Sequence, residues 1–142
     1  MASTQALTNQ AKVDFLSGVH LPGDTYKLAL YTSSATLNKA STVYTSYGEC
    51  TGTGYVAGGA VIPGPYTVTL LNDMAYIDFP TTQGGALWSN VTLTGVVTAL
   101  LYNSSRSNKA IAVFTFASVD TISGSFLAKL PEPGATALIR FS

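Results

Sequence analysis

Charged side chains are scarce in this sequence. Lys and Arg together number 7, Asp and Glu together number 7, and charged residues are 10% of the chain, against about 25% in typical globular proteins. A nucleic-acid-binding protein neutralises phosphates with a basic stripe, so this sparse, balanced charge predicts no nucleic-acid partner. Freely diffusing enzymes usually carry dense mixed charge that maintains solubility, and the composition disfavours that class too.

Cysteine and histidine each occur once, as Cys50 and His20. One cysteine cannot form an internal disulfide, and one histidine cannot supply a His-based metal cluster. Glu49 precedes Cys50 and would raise the pKa of its thiol, which works against reactivity. The sequence offers no set of nucleophile, histidine and acid, so it predicts no catalytic residue, and we expect neither a metal nor a cofactor.

Long apolar runs are lacking as well. The longest, around residues 96–102, is far short of the roughly 20 residues of a membrane-spanning helix. The chain opens MASTQALTNQ, without the basic and apolar regions of a secretory signal. These absences predict a protein made in the cytoplasm that has no membrane partner.

Threonine and serine supply about a quarter of the residues and take the place of the missing charges. Depletion of Lys, Glu and Asp in the presence of tyrosine is typical of buried protein interfaces. A β-rich domain whose outward faces carry Thr and Ser explains the composition equally well. Both interpretations stay open at this point.

Hydrophobic periodicity predicts one short helix followed by strands. Thr8 or Asn9 can cap a helix over residues 8–17, which Gly18 would end. From residue 26 the period becomes 2, and Asn72-Asp73 is a plausible tight hairpin turn. The predicted strands are 26–31, 66–71, 74–79, 91–93, 96–102, 109–117, 125–130 and 137–141. This spacing is typical of an all-β, antiparallel β-sandwich of jelly-roll type in a single domain.

Residues 32–54 fit no periodic pattern and are predicted to be an extended arm or a loop. The stretch STVYTSYGECTGTGYVAGG (41–59) is rich in glycine and hydroxyl groups and contains one acid. Four tyrosines lie in or beside such uncharged segments: Tyr44, Tyr47, Tyr55 and Tyr66. Tyrosine combines a large contact area with a hydrogen-bonding hydroxyl, so these four are candidate protein-contact residues. The alternative is that they pack as a lid over the end of the sandwich.

The sequence contains an ordered set of motifs: LALYTSSATL (28–37), YT (44–45), GE (48–49), TGTGY (51–55), AGG (57–59), AYIDF (75–79), WSN (88–90), LLYN (100–103) and NKA (108–110). In this order they resemble the head decoration, or cement, proteins of tailed bacteriophages. The resemblance spans about residues 5–120, and it is carried by the order of the motifs. Residues 95–99 (GVVTA) depart from the pattern, because an Arg-Gly pair is typical of the family there.

The resemblance implies a jelly-roll β-sandwich on the outer surface of a virion, bridging subunits of the major capsid protein. It implies no active site. Small decoration proteins that occupy lattice symmetry axes are expected to be dimers or trimers, so a second partner is the chain itself. In this interpretation, segment 32–54 would reach along the lattice.

Two other function classes compete with decoration. A glycan- or receptor-binding β-sandwich of a phage head or tail fibre would use Trp88 and surface tyrosines to stack on sugars, although Trp88 near a strand start is more typical of core packing. A small hydrolase is disfavoured, because the sequence contains no catalytic set.

Overall fold

The computed structural model describes residues 3–79, 85–129 and 140–141. These residues form mostly β-strands and one short helix. In chain order the elements are β1 (Ser3–Leu7), α1 (Asn9–Leu16), β2 (Tyr26–Tyr31), β3 (Ala60–Ile62), β4 (Thr67–Leu71), β5 (Met74–Asp78), β6 (Gly85–Asn103), β7 (Lys109–Lys129) and β8 (Arg140–Phe141).

The strands form two antiparallel sheets. The larger has the order β1-β7-β6-β2-β3 and the smaller has the order β4-β5-β8. The long hairpin of β6 and β7 occupies the middle of the larger sheet, between β2 on one side and β1 on the other. For the described residues, which are mostly β-strand, the predictions of antiparallel sheets and one short helix near the N-terminus are confirmed.

Local sequence explains helix α1 and its ends. Thr8 is the N-cap, and its Oγ1 accepts a hydrogen bond from the Ala11 N–H at 3.0 Å, which pairs a donor that the first helical turn leaves free. The same hydroxyl donates to the carbonyl of Ala110 in β7 at 3.1 Å, so the cap also attaches the helix to the larger sheet. Gly18 follows the C-cap in the left-handed region (φ 74°), as the predicted stop requires.

Strand β2 is buried on both faces, as its mixture of apolar residues suggests. Tyr26, Leu28 and Leu30 belong to the main core cluster, together with side chains of α1, β6 and β7. Ala29 and Tyr31 point the other way, into a second, smaller cluster. The alternation predicted from the sequence is therefore correct, and this sheet needs a cover on each face.

The predicted strands over 91–93, 96–102, 109–117 and 125–130 are corrected by the structure, which joins their described residues into the two continuous strands β6 and β7; residue 130 lies outside the described residues. Their register shifts at several points between Trp88 and Thr98, and again after Leu101. Asn90, Gly95 and Ser123 adopt positive φ, which is typical of bulges. These bulges interrupt the period of 2, so the sequence pattern suggested breaks where the strands continue. Strand β1 was not predicted.

The smaller sheet begins with the predicted hairpin. Asn72 and Asp73 have φ of 45° and 62°, as a two-residue type I′ turn requires, and Leu71 pairs with Met74 on either side of the turn. Ile77 and Phe79 pack against the main core, whereas all five residues of β4 are exposed. The predicted strand 137–141 lies outside the described residues except for Arg140 and Phe141, which pair with β5.

Close backbone contact provides a first test of the fold. A Cβ added at Gly52 would overlap the carbonyl oxygen of Thr92 in β6. We expect Gly52→Ala to lower the free energy of unfolding by about 1–3 kcal/mol, because the backbone must move apart to admit the methyl group. Urea denaturation measures this change. Gly23→Ala, where an added Cβ meets nothing within 4 Å, is the matched control, and equal effects at the two positions would contradict the described contact.

Candidate protein-contact site

Segment 32–54, predicted to be an extended arm or a loop, is attached to the larger sheet by backbone hydrogen bonds. The Thr32 N–H donates to the Gly48 carbonyl, and the Cys50 N–H donates to the Leu30 carbonyl, so the loop returns to the edge of β2. On the other side, the Tyr44 N–H donates to the Asn108 carbonyl at 2.9 Å. These backbone bonds attach the loop at both ends and in the middle.

The loop covers the second face of the larger sheet. Ala35, Leu37 and Tyr44 pack against the smaller core cluster, whose buried members are Ala29, Tyr31, Leu100, Tyr102, Ala110 and Val113. The Tyr31 hydroxyl donates to the loop carbonyl of Thr45 at 2.6 Å. In place of a second sheet, a polar, Gly-rich loop with few apolar side chains excludes water from this face.

The Glu49 carboxylate is the hydrogen-bonding centre of the loop. Its Oε1 accepts from the Tyr44 hydroxyl at 2.6 Å, and its Oε2 accepts from the Tyr55 hydroxyl and the Gly58 N–H, each at 2.7 Å. Bonds to an ionised acceptor are shorter and stronger than neutral ones. One half-buried side chain therefore connects the two halves of the stretch 41–59.

Tyr55 also completes the edge of β2. Its hydroxyl accepts a hydrogen bond from the Leu30 N–H at 3.0 Å. Strand β3 does not reach this point, because it pairs with β2 only over Tyr26 to Leu28. Burial raises the pKa of Tyr55 far above its ordinary value, and the neighbouring Glu49 adds to the rise. The phenol therefore stays protonated and can donate to Glu49.

Tyr44 faces inward as well. Its ring stacks on Tyr102, with ring centroids 4.8 Å apart, and burial followed by the Glu49 hydrogen bond raises its pKa. Burial raises the pKa of Tyr102 to about 12, and its hydroxyl donates to the Gly58 carbonyl at 2.6 Å. Tyr44 and Tyr102 thus hold the loop through both ring contact and hydrogen bonds.

Tyr66 lies at a different place, between the two sheets. It is buried, its hydroxyl donates to the His20 carbonyl at 3.1 Å, and its ring meets Tyr26 and Phe79 at centroid distances of 5.8 and 5.7 Å. The hydroxyls of Tyr44 and Tyr55 meet at Glu49, but Tyr66 belongs to an aromatic cluster at the start of β4.

Tyr47 is the exposed member of the four. Its side chain is 65% exposed in the turn before Gly48, and Val43 in the same loop is 47% exposed. Of the four tyrosines predicted as contact residues, Tyr47 is therefore the exposed one, whereas Tyr44 and Tyr55 are half-buried and Tyr66 is buried. The sequence did not single out Glu49 as the shared acceptor of Tyr44 and Tyr55, although it is the one acid in the stretch 41–59.

A polar cluster anchors the neighbouring end of the larger sheet. The Asn103 Nδ2 donates to the Asp24 Oδ2 at 2.9 Å and lies 3.0 Å from the His20 Nδ1, while its Oδ1 accepts from the Ser105 N–H. These partners fix the amide, so the His20 Nδ1 accepts and the ring proton lies on Nε2. That atom lies 3.7 Å from the Asp14 Oδ2, too far for a hydrogen bond.

Arg106 completes this cluster. Its Nε and Nη2 donate to the two oxygens of Asp24 at 2.9 and 3.1 Å, a bidentate arrangement that lowers the pKa of Asp24 to about 2 because it favours the charged carboxylate. Asp24 also accepts from the Leu21 N–H. The loop after α1 and the turn between β6 and β7 are thereby joined.

The remaining chemistry-bearing side chains face inward. Cys50 is buried, and burial followed by the charge of Glu49 raises the pKa of its thiol to about 11, as predicted in direction. Trp88 is 6% exposed and meets Phe126 edge-on, in agreement with core packing.

Within residues 3–79, 85–129 and 140–141, no group of three His, Cys, Asp or Glu side chains is placed to hold a metal ion. The helix in the described part of the chain is too short to cross a membrane.

No protein-family model, curated protein or solved structure matches the chain.

The Glu49 centre makes a prediction about stability. We expect Glu49→Gln and Tyr55→Phe each to lower the free energy of unfolding by about 1–3 kcal/mol, because each leaves buried donors without an acceptor. Urea denaturation with far-UV circular dichroism measures the loss. Tyr47→Phe removes an exposed hydroxyl and should change stability by less than about 0.5 kcal/mol. A Glu49→Gln protein as stable as the wild type would show that the carboxylate does not hold the loop.

The His20 cluster predicts a pH dependence. Desolvation lowers the pKa of His20 in the folded state below its ordinary 6.5, so the unfolded chain binds this proton first. Stability is therefore complete above about pH 6.5 and declines as the pH falls below it. Urea denaturation from about pH 7.5 to about pH 5 measures the slope, which His20→Asn should flatten, since Asn can still accept from Asn103. An unchanged slope in that variant would refute the assignment.

Proposed function

We propose that the chain is a head decoration protein of a tailed bacteriophage, which binds the outer surface of the assembled capsid and stabilises it by bridging subunits of the major capsid protein. It would be made in the host cytoplasm and reside in the virion. The observation that carries the proposal is a surface with few charges and many exposed apolar side chains on a hydrogen-bonded framework.

The large exposed apolar side chains number 12 among the described residues and occur on the helix, the loops and both sheets. Single exposed apolar residues are ordinary, but here they accompany a charge content of only 10%. Such a surface loses little on desolvation, because few ions must give up their hydration. That property suits a contact that forms repeatedly over a shell.

The structure of the loop supports contact without a large ordering cost. Val43, Tyr47 and Val56 are exposed on segments that Glu49, Tyr44 and Tyr55 attach to the sheet. A preorganised surface loses less conformational entropy on binding than a free arm. We therefore replace the extended arm with a fixed loop that presents Tyr47 to the capsid.

The stabilising mechanism is thermodynamic linkage. A protein that binds the assembled shell in preference to its separated subunits stabilises the shell by RT ln(1 + [L]/Kd) at each site. Many such sites act together on one particle, so modest individual contacts are sufficient. The chain is proposed to act as a closed dimer or trimer, with no catalytic step and no cofactor.

The proposal includes a specific fold, a β-sandwich of jelly-roll type. Its support is the presence of two antiparallel sheets, with Ile77 and Phe79 at and just after β5 in contact with the core of the larger sheet. The glycan-binding alternative finds less support, because Trp88 is buried in that core and presents no stacking surface to a sugar.

Binding to phage heads tests the proposal. We expect the purified protein to co-sediment with intact heads of the phage that encodes it, at a copy number near that of the shell subunit, and to bind dissociated subunits weakly. Tyr47→Ala should raise Kd for intact heads about tenfold, which is a typical effect for an interface tyrosine.

The control variant for this experiment is Ile122→Ala, which truncates another exposed apolar side chain (81% exposed) far from Tyr47 in sequence. It should leave head binding unchanged. Equal binding to intact heads and dissociated subunits, or no binding to either, would refute a decoration role. An unaltered Kd for Tyr47→Ala would show that the loop does not contact the capsid, but it would not refute the decoration role itself.

A further inference from the structure

Among the residues that the structure describes, strand β4 is an edge strand without the usual protection. It is the terminal strand of the smaller sheet, in the order β4-β5-β8, and each of its five residues is exposed. Residues 66–72 (YTVTLLN) contain no charge and no proline. Natural edge strands are commonly protected from pairing with another chain by a lysine, a proline, a bulge or a covering element, and β4 pairs with β5 without a register shift.

The turn determines which backbone groups of β4 face outward. Leu71 and Met74 flank the two-residue turn, so they form a hydrogen-bonded pair, and such pairs alternate along an antiparallel ladder. Thr69 and Thr67 therefore also direct their N–H and C=O groups toward β5. The N–H and C=O groups of Val68 and Leu70 point to the free edge, where the described residues provide no strand.

Two apolar side chains of β4, Val68 and Leu70, flank Thr69. Val68 and Leu70 lie on one face, 62% and 75% exposed, and Thr67, Thr69 and Leu71 lie on the other. When a second β4 runs antiparallel with Thr69 opposite Thr69, Val68 of each copy lies opposite Leu70 of the other. Those are the residues with free backbone groups, so this register forms hydrogen bonds at both positions.

We propose that the free edge of β4 pairs with β4 of a second copy of this chain, antiparallel about Thr69, to form a twofold dimer with a continuous six-stranded sheet. Val68 and Leu70 of the two copies then make one apolar cluster on a single face. The contact is isologous, as a closed dimer requires, and it uses main-chain hydrogen bonds in the manner of strand addition.

Charge favours a second copy as the occupant. The nearest charged residue at the turn, Asp73, falls opposite Pro65 of the other copy in this register, so the twofold does not oppose like charges. A strand that carried Lys or Arg would find no acid on β4 itself to pair with. Because two short strands bury less than the roughly 800 Å² per partner of a standard interface, the dimer is expected to be weak in solution and to strengthen on a lattice.

The inference deepens the proposed function, since it specifies the contact of the proposed homo-oligomer. It commits to a dimer whose contact is made by β4 and does not use Tyr47.

Cysteine cross-linking tests the register. Residues opposite each other in a non-hydrogen-bonded antiparallel pair have Cβ atoms about 4.5–5.5 Å apart, so Thr69→Cys should form a disulfide-linked dimer when the full chain is treated with copper phenanthroline. Thr67→Cys is the matched control. In this register each Thr67 lies opposite Leu71 of the other copy, four residues away from the other Thr67, so the two cysteines should not form a disulfide. Cys50 is buried in both variants. Equal cross-linking of the two variants would overturn the proposal.

A charge variant tests the same contact without cross-linking. Thr69→Lys sets two lysines against each other at the twofold, and we expect it to raise the dimer dissociation constant at least about tenfold in sedimentation equilibrium, whereas Thr67→Lys should change it less. Both positions are exposed, so folding should persist, and circular dichroism checks this. A wild-type chain that stays monomeric at every concentration, or a Thr69→Lys dimer of unchanged affinity, would overturn the proposal.

Head binding separates this inference from the proposed function. If phage heads bind the chain but Thr69→Cys does not cross-link, the β4 pairing alone is refuted. If Thr69→Cys cross-links but the protein binds no heads, the decoration role is refuted and the β4 pairing is supported. Reduced head binding by Thr69→Lys with unchanged self-association would assign the edge to a capsid strand and overturn the proposal.

Discussion

The Glu49 carboxylate is the interaction on which the rest of the molecule depends. Two tyrosine hydroxyls and one backbone N–H converge on it, and they join the two halves of the stretch 41–59. Through Tyr55 it also completes hydrogen bonding at the edge of β2. A small number of charge-assisted bonds thus replaces the extensive apolar contact that usually holds a layer on a sheet.

This arrangement explains how a chain with few charges can cover both faces of its larger sheet. One face packs on the helix and the main core, and the other is closed by the loop that Glu49 holds. Because the loop is rich in Thr, Ser, Gly and Tyr, its outer side is mostly polar and carries few charges. The structural requirement for a cover and the proposed requirement for a surface that is easily desolvated are met by the same residues.

The sequence predicted local features well where one principle dominated. The alternation in β2, the cap at Thr8 and the turn at Asn72-Asp73 each depend on neighbouring residues, and all three were found. Continuity of β6 and β7 was missed, because bulges at residues such as Asn90 and Gly95 shift the alternation without ending the strand.

The candidate site was harder to predict, because it depends on contacts between residues distant in the chain. The sequence located the tyrosines but not their orientation: Tyr44, Tyr55 and Tyr66 direct their hydroxyls to internal acceptors, and Tyr47 does not. The stacking of Tyr44 on Tyr102 joins positions that no local pattern connects. Exposure, which decides what a partner can touch, follows from the tertiary fold.

The thermal stability of decorated and stripped heads measures the central claim most directly. Calorimetry of heads freed of this protein and then titrated with it should show the disassembly temperature of the shell rising with occupancy and levelling off at saturation, because the ligand binds the assembled state in preference. A disassembly temperature that stays constant while occupancy rises would contradict the account.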